Sequence, residues 1–184
     1  MIRRLPRLLV VAVVCACSSS PPVRPSPNVL LPDVGAGYRL VAPSGPLSRA
    51  ALAAATAVPQ REMASYLDAS SLVSAGERVW TSEDGGFVTD TVATFGSAAD
   101  AAGLVALAAK VLPGPATHPF DIIGLSSVKG FVQTSAVRGR TMFCVIAFVP
   151  AGVRAFVLTR CTTYPQDTTT VSRLVVKQLI RASA

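Results

Sequence analysis

The chain has 184 residues and a formal net charge of +7, which leaves room for one folded domain once a leader and a loose segment are set aside. Three of its 17 basic residues lie within the first seven positions, so the remainder carries 14 basic and 10 acidic side chains. Those basic residues are scattered and form neither a run nor a stripe with aromatic residues. The composition therefore excludes a second domain and argues against nucleic-acid binding.

Residues 1–16 have the organisation of a signal peptide. A positively charged start is followed by an apolar run of nine residues from Leu8 to Ala16. A run of this length is too short for a membrane-spanning helix, which needs about 20 residues, but it matches the apolar region of a secretory leader. We therefore expect an exported protein.

The end of this leader, Val14-Cys15-Ala16-Cys17, resembles the bacterial lipobox, in which an aliphatic and a small residue precede an invariant cysteine. The resemblance implies a diacylglycerol on Cys17, cleavage after Ala16, and attachment to the outer face of the cell membrane through two or more acyl chains. An ordinary leader cleaved after the same Ala16 would instead give a secreted protein. In both cases residues 17–35, which are rich in Ser and Pro, predict a lipidated or free N-terminus and a flexible tether. A single domain would occupy residues 36–184.

Helices are predicted from propensity, capping and apolar periodicity over residues 46–57, 60–69, 97–112 and 168–182. Ser97 is expected to cap the third helix, with Asp100 in the position that a capping box gives to an acid. The last helix has an apolar stripe opposite Arg173, Lys177 and Arg181, which predicts one buried and one solvated face.

Strands are predicted where Val, Thr and aromatic residues accumulate between turn residues. Residues 77–82 and 86–95 form a hairpin, and residues 128–137, 141–149 and 153–161 form a three-stranded meander, with a loop over 116–125. Hairpin, helix, meander and helix in this order predict an α+β fold, in which an antiparallel sheet is covered by helices on one face.

The register of the last two strands places two cysteines opposite each other. If Gly152-Val153 form a two-residue turn with Gly first, Ala151 faces Arg154, and counting outward sets Cys144 opposite Cys161. That pair is not hydrogen-bonded, so its Cα atoms lie about 4.5 Å apart, within the range of a disulfide. Since an exported domain meets oxidising conditions, we predict a bond between Cys144 and Cys161; two free buried thiols are the alternative.

No motif in the sequence indicates catalysis, a metal site or a cofactor. The single histidine, His118, stands in a predicted loop without the Gly-x-Ser-x-Gly elbow of a hydrolase. Ser126 and Lys129 match the Ser-x-x-Lys spacing of penicillin-binding proteins, but the companion motifs are missing. Two cysteines without a third Cys or a nearby His cannot complete a zinc shell. Trp80 is expected to close one edge of the core rather than anchor a partner.

The segments Glu77-Arg78-Val79-Trp80 and 92–97 (VATFGS), followed by an Ala-rich helix, resemble a group of uncharacterised actinobacterial lipoproteins. The order of elements is also similar to the Mog1/PsbP-like fold. The second resemblance implies a binding or accessory role rather than catalysis. The first hypothesis is therefore a non-enzymatic envelope lipoprotein that binds a protein, glycan or lipid. A carrier of a hydrophobic ligand is the second hypothesis. A cavity bounded by the 97–112 helix, Phe131, Phe143 and Phe148 would favour the carrier, whereas a filled core would favour the binding role. A small envelope hydrolase is the third.

Overall fold

The computed structural model describes residues 29–137, 139–165 and 168–183. Within them the chain forms seven strands and four helices. In chain order these are β1 (Tyr38–Pro46), α1 (Arg49–Ala55), α2 (Gln60–Ala69), β2 (Leu72–Ser82), β3 (Phe87–Phe95), α3 (Ala98–Val111), β4 (Thr117–Phe120), β5 (Lys129–Val137), β6 (Arg140–Ala151), β7 (Arg154–Thr162) and α4 (Thr169–Ser183).

All seven strands belong to one antiparallel sheet in the order β1-β2-β3-β7-β6-β5-β4. The hairpin β2–β3 and the meander β5–β6–β7 are both present, and pairing of β3 with β7 joins them into one sheet. The predicted α+β fold class is thereby confirmed. The helix predictions are close in position, and Ser97 caps α3 by accepting a hydrogen bond from the Asp100 amide at 3.1 Å.

The prediction missed two strands, and both lie at edges of the sheet. β1 has the sequence YRLVAPSGP, and β4, inside the predicted loop 116–125, has the sequence THPF. Proline lacks the N–H that a central strand must donate, so these segments do not look like strands by composition. At an edge, one side of the strand needs no partner, and proline is tolerated there.

The helices are divided between the two faces of the sheet instead of lying on one. α1, α2 and α3 lie on one face, in a core shared with Cys144, Ile146 and Phe148 of β6, and of these three α3 is the helix that packs on β6. α4 packs on the other face against the alternate residues of the same strand, including Val145 and Val149. A strand that buries both of its faces reads as a continuous apolar run, and residues 143–149 (FCVIAFV) are such a run.

The N-terminal boundary of the folded domain differs from the predicted one at residue 36. Residues 29–34 lie on the α4 side of the sheet, where Leu30 and Leu31 are buried together with Trp80. Residues 29–34 of the predicted 17–35 tether therefore belong to the core. Burial of Trp80 also agrees with its expected place in the core.

Candidate functional site

The β6–β7 hairpin has the predicted register. Ala151 pairs with Arg154, and Gly152 in the turn between them has a φ of 57°, a left-handed conformation that glycine adopts without steric cost. Cys144 consequently faces Cys161, their Cα atoms are 4.1 Å apart, and a disulfide joins them. The bond lies on the face covered by α1, α2 and α3.

The other residues considered for chemistry are dispersed. His118 lies exposed on β4 opposite Val132, at the far edge of the sheet. Lys129 donates to the backbone carbonyl of Ser126 at 3.4 Å, and both residues are exposed. In the part of the chain that the structure describes, no three His, Cys, Asp or Glu side chains gather into a set able to hold a metal. Cys17 lies outside the described residues.

A buried carboxylate, missed by the sequence analysis, lies on the α4 face of β3. Asp90 is 0% exposed and accepts a hydrogen bond from the Leu31 amide at 2.7 Å. Arg78, its cross-strand neighbour on β2, donates to the Leu31 carbonyl at 2.7 Å. On α4, the Gln178 amide donates to the Val29 carbonyl at 2.7 Å. Three side chains from three elements thus hold the segment 29–34, here called the N-terminal strap, against the domain.

Burial raises the pKa of Asp90 from 3.8 to about 7, because a carboxylate loses its hydration in the core. The Leu31 N–H and the positive charges of Arg78 and Arg181 act in the opposite direction, and the negative charge of Glu77 adds slightly to the rise. The sequence did contain a signal for this site: Asp90 stands two positions from both Val88 and Val92, and alternate residues of a strand share a face.

An open groove lies beside the start of β1, where the turn between β2 and β3 approaches the end of β7. It has a volume of about 680 Å³ and is lined in part by Tyr38, Arg160 and Tyr164. Arg160 donates to the Tyr38 hydroxyl at 3.2 Å, and Tyr164 is 49% exposed. An exposed ion pair between Arg39 and Glu83, 2.9 Å apart, forms part of the wall. We call this groove the tyrosine groove.

The space in which a cavity would have favoured the carrier hypothesis is occupied by side chains. Phe131 and Phe148 are buried, and their rings meet edge to face with centroids 6.0 Å apart. Phe143 lies one position along β6 from Cys144 and therefore on the opposite face of the sheet. A different open groove of about 700 Å³ exists at the end of the sheet, lined by residues that include Val79, Phe87 and Met142.

The fold defines a class: an α+β domain with an antiparallel sheet between two layers of helices. A solved structure shares this fold. The extracellular domain of PknH from Mycobacterium tuberculosis superposes with a TM-score of 0.53 at 14% sequence identity, and the match covers 77% of this chain and 78% of that one.

No protein-family profile matches the sequence, and the comparison with curated proteins found no match. Among the described helices, none is both long and apolar enough to cross a membrane. At 14% identity the likeness to PknH shows the fold alone.

Proposed function

We propose that this protein is an exported, non-enzymatic accessory protein of the cell envelope, held on the outer face of the membrane by a lipid on Cys17, which binds an envelope component in the tyrosine groove. The observation that carries the binding role is the character of that groove. Tyrosine and arginine are enriched at binding hot spots, and both line it next to an opening that a partner can enter.

Export is supported by two features. The predicted leader and the lipobox-like segment of residues 1–17 are followed by a domain with a disulfide, and disulfides persist in oxidising compartments. The likeness to a domain that is extracellular in a mycobacterium agrees with this location. The lipid anchor in this proposal depends on acylation of Cys17.

The lipid anchor is tested by comparing two cysteines of the same leader. Cys17→Ser is expected to move the protein from the membrane fraction to the soluble or secreted fraction, because it removes the thiol that would be alkylated. Cys15→Ser is the matched control and should leave the protein in the membrane fraction. Mass spectrometry of the wild-type N-terminus should find acyl groups on Cys17. Membrane retention of Cys17→Ser, with no acyl mass on the wild-type chain, would contradict the anchor.

The binding role is tested with a photo-crosslinking amino acid placed at Tyr164 in living cells. A partner captured there should bind the purified wild-type protein. We expect Tyr164→Ser to weaken that affinity at least tenfold, since truncation of a hot-spot side chain costs about 2 kcal/mol or more. Val73→Ser, at an exposed valine of β2 outside the groove, is the control. Equal affinity of Tyr164→Ser and wild type would show that the groove is not the site.

The carrier hypothesis keeps one supporting observation, the open groove beside Phe87 and Met142. Solvent extraction of the exported protein followed by mass spectrometry distinguishes the two functions. A carrier would yield a hydrophobic ligand in a fixed molar ratio to protein, and a Phe87→Ser variant would lose it. If no hydrophobic ligand is recovered from the wild-type protein, the accessory role is favoured.

A further inference from the structure

The solvent-facing side of α4 is a stripe of alternating basic and apolar residues. Arg173, Val176, Lys177 and Ile180 are exposed and follow one another at helical spacing. Val176 is 48% and Ile180 is 66% exposed. The opposite stripe of α4, which includes Leu174, Val175 and Gln178, is buried against the sheet. The exposed apolar residues are therefore not needed for packing of the helix on its own domain.

The loop before β5 extends this surface. Ile123 is 99% exposed, although its neighbour Ile122 is buried. Ile123, Arg173, Val176 and Lys177 line a common groove of about 620 Å³. A fully exposed isoleucine beside a basic and apolar helix face is the arrangement by which peripheral proteins insert into the headgroup region of a bilayer. We call Ile123 and the four stripe residues the α4 surface.

The charge of this surface is predominantly positive. Within Thr169–Ser183 the charged residues are Arg173, Lys177 and Arg181, with no Asp or Glu. One carboxylate, that of Asp121, lines the groove together with Arg173 and Lys177. A surface with this balance is complementary to anionic lipid headgroups, which attract basic residues close to the membrane.

The first residue that the structure describes also lies next to α4. The Gln178 side chain, on α4, donates to the carbonyl of Val29, the first residue that the structure describes. Cys17 precedes Val29 by 12 residues, which span roughly 40 Å at full extension. A lipid on Cys17 would therefore keep α4 within about that distance of the bilayer, where even a weak attraction is effective because the domain cannot diffuse away.

We propose that the α4 surface rests on anionic phospholipid headgroups, with Ile123 and Ile180 inserted between them and with Arg173 and Lys177 on the phosphates. This proposal rests on the proposed function, since the lipid anchor supplies the proximity. In this orientation the domain would lie on the membrane on its α4 side, and the helices α1, α2 and α3 would face away from the bilayer.

The test uses the mature chain, residues 17–184, with Cys17→Ser, so that no acyl group contributes to binding. We expect it to sediment with vesicles containing phosphatidylglycerol but not with pure phosphatidylcholine vesicles, and to be released as salt screens the charges. Arg173→Gln with Lys177→Gln should lower the partition coefficient about thirtyfold, or roughly fivefold for each charge removed. Ile123→Ser should lower it about tenfold.

Matched controls lie on the other face of the sheet and on an edge strand. Arg61→Gln with Lys110→Gln changes the net charge equally, at exposed positions of α2 and α3, and Val41→Ser removes an exposed valine of β1. Both controls should bind vesicles as the parent chain does. An equal loss in the charge control, equal binding to both kinds of vesicle, or self-association through the α4 surface in place of vesicle binding would overturn the proposal.

The outcomes separate this proposal from the lipid anchor. Vesicle binding without acylation of Cys17 in cells would leave the α4 surface standing and remove the anchor. Acylation without any vesicle binding by the Cys17→Ser chain would do the reverse.

Discussion

The buried carboxylate of Asp90 should make the stability of the domain depend on pH. In the folded protein its pKa is about 7, whereas its ordinary value is 3.8. The folded state therefore holds the proton over a range in which the unfolded chain has released it. Between these two values the folded state binds more protons than the unfolded state, so the free energy of unfolding falls as the pH rises.

The size of the effect follows from the difference between the two pKa values. The contribution of Asp90 is fully present below about pH 4 and is lost as the pH rises through 7. Since one pKa unit corresponds to about 1.4 kcal/mol, a difference of about three units corresponds to roughly 4 kcal/mol. This is a large part of the 5–15 kcal/mol that typically separates a folded domain from its unfolded chain.

Asp90→Asn tests this reasoning, because asparagine retains an oxygen to accept the Leu31 N–H but has no carboxylate to ionise. Urea unfolding between pH 4 and pH 8, followed by the fluorescence of Trp80, the single tryptophan, gives the free energy at each pH. We expect the wild type to lose roughly 4 kcal/mol more than Asp90→Asn over this range.

Two further variants complete the experiment. Burial also raises the pKa of Glu77, so Asp90→Asn should retain a smaller slope of the same sign. Asp68→Asn, at an exposed position of α2, is the control and should follow the wild type. A full wild-type slope in Asp90→Asn would show that Asp90 is not the source of this pH dependence.

Two other predictions concern the disulfide and the histidine. Replacement of Cys144 and Cys161 by Ala should lower the free energy of unfolding by roughly 2–4 kcal/mol, because the bond closes a loop in the unfolded chain; a change below 0.5 kcal/mol in urea unfolding would contradict this. Peptide mapping of unreduced exported protein should find the two cysteines linked. Since His118 lies on an edge strand away from the tyrosine groove, His118→Ala should leave partner affinity or any measured activity within a few-fold, and a thousandfold loss would reveal a catalytic role.

The parts of the fold that the sequence predicted are those determined by neighbouring residues. Gly152 determines the turn and hence the register of β6 and β7, and Ser97 determines the start of α3. Each of these signals operates within a few residues, where turn chemistry and capping depend little on the rest of the domain.

The parts that were missed depend on contacts between distant residues. Leu30 and Leu31 stand among prolines and polar residues, a composition that predicts a tether, yet Arg78 and Asp90 bind their backbone from 47 to 59 positions away. The placement of α4 on the second face likewise depends on which apolar residues of β6 would face solvent without a helix on that side. The apolar run of β6 indicates that both faces of the strand are buried, but it does not identify which helix packs on the second face.

The binding site is even less visible in the sequence. Tyr38 and Arg160 are separated by 122 positions and come together only because β3 pairs with β7 while β1 pairs with β2. No local pattern marks such a groove. Asp90 differs in this respect, because an acid between Val88 and Val92 on a strand is unusual enough to be noticed without a structure.

The N-terminal strap connects the proposed anchor to the architecture of the domain. A tether attached to an edge strand such as β1 would transmit any pull to a strand paired on one side only. Here the strap is held by Asp90, Arg78 and Gln178, which belong to β3, β2 and α4. A pull on the proposed tether would therefore be transmitted through these contacts to β2, β3 and α4. Because one of these three contacts is a carboxylate with a pKa near neutrality, the strength of this attachment should vary with pH around neutrality.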